Sequence, residues 1–179
     1  MAETSNAYLS PCRTYRYQLS RVWSAGPLCM FVGLNPSKAD EHLDDPTIRR
    51  CRQFTKDLGY AGMVMLNLCA YRSTDPANLR APGVAAVGPD NDAYLTYWAE
   101  HPNIGAVIAC WGAGAAKLGG RELGVIELLL KATGRRLFHL GLTAAGHPKH
   151  PLYLRSDTKP QLWPEGHRPR LCGKGVRRG

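Results

Sequence analysis

At 179 residues with 44% hydrophobic content, the chain has the size and apolar share of one packed domain, and no apolar run approaches the roughly 20 residues of a membrane span. A formal net charge of +9 points to a polyanionic partner, nucleic acid first. The six cysteines form no C-x-x-C pair, so nothing in their spacing marks a metal site or a disulfide framework, and no cofactor is expected. The N-terminus carries no signal-peptide pattern, and a cytoplasmic address away from membranes follows as the expectation.

Residues 1–12 are polar and read as a frayed start. From Thr14 to Leu19 the residues alternate, with Tyr15, Tyr17 and Leu19 on one face and a wet face opposite, which predicts an edge or cover strand. The turn Ser24-Ala25-Gly26-Pro27 leads into a buried strand over about 28–34 that breaks at Asn35-Pro36-Ser37. Asp45-Pro46-Thr47 has an N-cap followed by proline at the first helical position, opening a helix through Phe54 and Leu58 that Gly59 and Gly62 close. A second buried strand, Met63 to Leu66, ends on Asn67, and a turn-rich segment runs to a helix beginning at Asp90. A third strand, Ile104 to Cys110, ends at Trp111-Gly112 and turns into a helix carrying Val125, Leu128 and Leu129. The fourth, about 136–140, runs into the loop Gly146-His147-Pro148-Lys149-His150-Pro151-Leu152-Tyr153. A basic, mobile tail is expected from about residue 165.

This alternation predicts a single α/β domain over residues 1–179: a three-layer α/β/α sandwich with a central, mainly parallel four-stranded sheet. Ligands of such sheets bind outside the carboxyl ends of the strands. Parallel order would bring Asn35, Asn67, Trp111-Gly112 and His147 or His150 to one rim. Two amides and a histidine there could read the edge of a heterocycle and stabilise charge on it.

The segments that end these strands also carry a resemblance. Gly33-Leu34-Asn35-Pro36 resembles the first motif of the uracil-DNA glycosylase superfamily. Leu66-Asn67 is similar to that family's base-reading asparagine, Val107 through Gly112 to its strand running into Trp-Gly, and His147-Pro148 through His150-Pro151-Leu152 to its late His-Pro loop. The match spans roughly residues 28–156. It implies a uracil-DNA glycosylase-like fold and a monofunctional DNA glycosylase that flips a base out of the stack and hydrolyses its N-glycosidic bond. In that scheme Asn35, helped by Asp44, orients the attacking water, and His150 (or His147) stabilises the departing base. Gly33, Leu34, Pro36, Ser37, Asn67 and Arg72 would line the base. Leu152 and Tyr153 would fill the gap left in DNA, while Lys38, Lys149 and Arg155 grip phosphates.

Two departures sharpen the expectation. The uracil-specific branch has a tyrosine beside the pyrimidine 5-position where this chain has Ser37, which leaves room for a 5-substituent. The hydroxymethylated and glucosylated cytosines of bacterial viruses are such bases, so an antiviral role is expected. Asn35 stands where that branch has aspartate, so an amide rather than a carboxylate would hold the water. A non-catalytic nucleic-acid-binding module, and a hydrolase or transferase of free modified nucleotides, are the competing readings. A monomer acting on DNA is expected.

Overall fold

The computed structural model describes residues 2–134 and 136–171. Apolar runs long enough to be buried on both faces form the centre of a sheet. β3 (Leu28–Gly33) and β4 (Gly62–Asn67) are buried at every position, and β5 (Ile104–Ala109) over its last four. With β6 (Leu137–His139) they make four parallel strands in the spatial order β4-β3-β5-β6. The sheet is larger than the four strands expected. β1 (Thr4–Leu9) and β2 (Arg16–Val22) extend it antiparallel beyond β4, and β7 (Gln161–Leu162) pairs antiparallel with β6, giving seven strands.

Helices cover both faces. On one side, α1 (Pro46–Asp57) packs Ile48, Cys51 and Phe54 against Phe31, Met63, Met65 and Ile108. On the other, α2 (Asn91–Glu100) and α3 (Arg121–Ala132) bring Leu95, Val125 and Leu129 onto Met30, Val32, Val64 and Val107. The start of α1 follows its sequence signals: Asp45 accepts the Ile48 N–H at 2.9 Å, and Pro46 occupies the first turn, where its missing N–H is no loss. No helix of the described residues is long and apolar enough to cross a membrane.

Three expectations need correction. The N-terminal segment is not frayed, because β1 zips onto β2. β2 is neither an edge nor wet on one side. It lies between β1 and β4, and Arg16 and Arg21 are each only 2% exposed. Arg21 is tolerated there because its guanidinium donates to Asp44 Oδ1 and to the carbonyls of Ser20 and Asp40. The segment after 165 is anchored at least as far as Arg170. Pro169 is buried, His167 bonds the Gly146 carbonyl at 2.8 Å, and the Arg170 N–H donates to Ala145 O at 2.9 Å. The strongly basic stretch 172–179 lies outside the described residues.

Candidate functional site

The carboxyl ends of β3, β4 and β5 and the loop after β6 surround a cleft of about 770 Å3, the size of a small-molecule site. Asn35, Asn67 and His150, distant in sequence, all line it, together with Gly33, Leu34, Ser37 and Lys149.

Asn35 follows β3. Its Nδ2 donates to the carbonyls of Pro36 (3.0 Å), Ser73 (2.9 Å) and Tyr71 (3.5 Å). Carbonyls only accept, so these contacts fix which end of the amide is nitrogen. The acceptor Oδ1 is left free of protein donors among the described residues. Asn35 therefore pins its own loop and still offers an oxygen able to hold a water. Pro36 itself is buried and contributes its carbonyl rather than a cleft surface.

Asn67 ends β4. It is 3% exposed, and its buried Nδ2 has no partner among the described residues. Buried amides are nearly always paired, so this donor in the cleft wall is one that a bound molecule could engage. Gly33 explains itself here: a Cβ at that position would stand 2.8 Å from Asn67 Oδ1. The Asn67 backbone is held by residues the sequence did not single out. Asn91 Nδ2 donates to the carbonyls of Asn67 and Leu68 at 3.0 and 3.1 Å, and Arg121 Nε to Leu68 at 2.8 Å. The only sequence signal for Asn91 was a polar residue just inside a helix start.

His150 caps the short turn Pro151–Tyr153, its Nδ1 accepting the Leu152 N–H at 3.4 Å. Nδ1 thus carries the lone pair, and the ring proton sits on Nε2. Burial pushes the imidazole pKa below its ordinary value, against a smaller opposite effect of Asp45. At neutral pH the ring is an uncharged N–H donor. Its loop is fixed by the Gly112 N–H bonding Pro148 O at 2.9 Å, the Lys149 N–H bonding Gly141 O at 2.9 Å, and Arg50 donating to the Leu154 carbonyl. Gly112, at φ +74°, allows the chain to turn beneath His150 without strain.

His147, the other candidate for the late-loop histidine, is 2% exposed and does not line the cleft. Its Nδ1 bonds Glu122 Oε2 at 2.9 Å, and the same oxygen accepts Trp111 Nε1 at 3.0 Å. His147 is an anchor that ties the loop to α3. His147→Ala leaves one bond fewer on a fully buried carboxylate, and should lower unfolding free energy by about 1–3 kcal/mol, measured by urea titration.

The acidic residue at the cleft is also not the expected one. Asp44 is held outside it by Arg21 Nε (3.0 Å) and Arg52 Nη1 (2.7 Å). Asp45 lines the cleft while its Oδ1 caps α1. Arg72 is likewise not in the wall, its Nη1 donating to Arg13 O at 3.3 Å. Lys38 is exposed outside the cleft lining, and Arg155 is an exposed partner of Asp157. Tyr153 lines the cleft and is 85% exposed, while Leu152, 41% exposed, is not in the cleft lining. The sequence reading missed Arg16, which lines the cleft from β2. It donates Nη1 to Ala39 O at 2.8 Å, and its Nε has no partner. Burial pulls its pKa down to about 10, although Asp45 acts in the opposite sense.

The cleft thus offers an amide acceptor, an orphaned amide donor and a neutral imidazole donor. Among the described residues no three histidine, cysteine or acidic side chains are grouped to hold a metal ion. A protein-family model described as Protein of unknown function (DUF1643) matches residues 16–152, a span that takes in every cleft-lining residue except Tyr153. No curated protein and no solved structure matches the chain. The span from Arg16 to Leu152 thus carries β2, the four parallel strands and all but one of the cleft residues, and by it the chain belongs to the DUF1643 family of proteins of unknown function.

Proposed function

We propose that the protein is a monofunctional DNA glycosylase with a uracil-DNA glycosylase-like α/β/α fold, excising a 5-substituted pyrimidine from DNA. The observation that carries this reading is the meeting of Asn35, the unpartnered Asn67 Nδ2 and His150 in one cleft. The four parallel strands beneath that cleft favour the fold, and the net charge of +9 favours a DNA partner.

The chemistry follows from what each group can donate or accept. An everted base meets Asn67, whose Nδ2 donates to a pyrimidine ring acceptor and gains the bond it lacks. Water attacks the sugar carbon as the C–N bond breaks, and the bonding pair leaves with the base. Negative charge then grows on the base oxygen, where the His150 Nε2–H stabilises it. Asn35 Oδ1 accepts a hydrogen bond from the water and aims it, while the proton that the water loses passes to solvent. Asp45 lines the same cleft and supplies the negative field that favours a cationic sugar. Unstacking the base costs a few kcal/mol, which Leu152 and Tyr153 offset by entering the gap. A hydrolase of free nucleotides would have no use for Leu152 and Tyr153 exposed on the turn that follows His150, which is why DNA is preferred as substrate.

The test incubates the protein with modified viral DNA, unmodified DNA and uracil-containing DNA and counts abasic sites. Sites should form on the modified DNA alone. Inactivity on all three would sink the proposal. Removal of such bases from invading DNA would serve defence against bacterial viruses.

A further inference from the structure

One buried cation in the cleft has Asp45 and Asp40 near enough to attract it but forms a direct ion pair with neither. Arg16 is 2% exposed, lines the cavity, and spends a single donor on the Ala39 carbonyl, two residues beyond Ser37. Its Nε is unpartnered, and it makes no ion pair among the described residues. The nearby acidic groups are used elsewhere. Asp45 Oδ1 caps α1, Asp40 Oδ1 accepts the N–H groups of His42 and Leu43, and Asp44 holds Arg21 and Arg52. Around Arg16 stand two further arginines, Arg21 and Arg72, and the Nε of Arg72 is also buried without a partner. Lys149 adds another cation to the cleft wall.

A desolvated guanidinium is strongly unfavourable unless an opposite charge and well-placed acceptors compensate it. Among the described residues the protein supplies one carbonyl, an unpartnered Nε and no direct ion pair, with Asp45 and Asp40 acting only from beyond contact, which leaves bonding capacity that a ligand can use. A neutral hydroxyl would satisfy a donor yet leave the charge uncompensated once water is expelled. An oxyanion does both, and its paired oxygens match the fork of an arginine.

We propose that Arg16 is the oxyanion-binding group of the cleft and that the acidic group it takes is a substituent at the pyrimidine 5-position, on the side that Ser37 leaves open. This rests on the base-excision reading and extends its substrate class to pyrimidines carrying a carboxylate or similar anion there. The same oxyanion chemistry could come from a DNA phosphate, and the two sources respond differently to one set of variants.

The first arm titrates the 15N-labelled full chain with 5-carboxyuracil and with uracil as free bases, following the arginine Nε–Hε resonances. The Arg16 signal is assigned by its loss in Arg16→Lys. The acid should bind at least tenfold tighter than uracil and shift the Arg16 signal, and Arg16→Gln should erase the preference. Because the shift is read in the unaltered protein, it stands even if Arg16→Gln fails to fold. The second arm measures binding of oligonucleotides carrying 5-carboxycytosine, 5-hydroxymethylcytosine or cytosine at one position, at several salt concentrations. Arg16→Gln should weaken only the first, by tenfold or more. If it weakens all three equally, with a salt slope shallower by about one unit, the anion is a phosphate and the substituent assignment falls. Equal binding of 5-carboxyuracil and uracil, with no shift at Arg16, overturns the subsite altogether. Absence of abasic sites on every DNA alongside Arg16-dependent binding of 5-carboxyuracil would instead remove the excision reading and leave the anion subsite standing.

Discussion

His150→Ala is expected to slow base excision by about 100- to 1000-fold, the range found when one preorganised donor to a developing oxyanion is removed. DNA affinity should change far less, since the donor acts mainly as charge accumulates on the departing base. The pH profile supplies a second, independent reading. The imidazole pKa is held below its ordinary 6.5 chiefly by burial, so the neutral ring prevails from about pH 7 upward and the rate should be level across pH 7–9. As pH falls through the depressed pKa, protonation places a hydrogen on Nδ1 and breaks its bond from the Leu152 N–H. The turn that aims the ring then loses its cap, and the rate should fall. A histidine that had to be protonated to work would give the opposite profile, losing activity as pH rises from 6 to 8. A non-catalytic binding module would keep its function intact in His150→Ala, and single-turnover excision assays against binding titrations separate the cases.

What the sequence made legible was the part of the architecture written in local pattern. Unbroken apolar runs mark β3 and β4, Asp45-Pro46 marks the start of α1, and the polar residues at which the runs stop turn out to line one cleft. What it hid was set by contacts between distant residues. Arg16 read as part of the wet face of an edge strand, and Arg21 stood out in no pattern, because their partners, Ala39, Asp40 and Asp44, lie 19 to 23 residues away. His147 and His150 share a loop and a neighbouring proline each, and only Glu122, 25 residues upstream of His147, tells the anchor from the cleft residue. Asp44 and Asp45 are adjacent and chemically alike. Two arginines hold one outside the cleft, and the cap of α1 holds the other in its wall. Local pattern therefore located the rim, while long-range partners decided which side chains on it are free to meet a ligand.

Asn67→Leu should move stability and activity in opposite directions. Among the described residues nothing pairs with the buried Asn67 Nδ2, so the amide carries the desolvation penalty of an unmet donor, about 1–3 kcal/mol. Leucine is close in size, and the neighbouring wall includes the Met65 side chain, so the substitution exchanges an unsatisfied polar group for apolar contact. The expected gain is about 1 kcal/mol, or roughly 2–4 °C in Tm for a chain of this length. The hydrogen bonds that Asn91 and Arg121 make to the backbone here involve carbonyls of residues 67 and 68 and survive the change. Excision should nevertheless fall by at least 100-fold, because the everted base loses the group that reads its pairing edge, and a ring acceptor would now face a methyl group. If Asn67 served only to hold the end of β4, its loss would lower Tm and activity together. Thermal unfolding and abasic-site formation measured on the same preparation therefore distinguish a residue kept for the fold from one kept, at the expense of the fold, for a ligand.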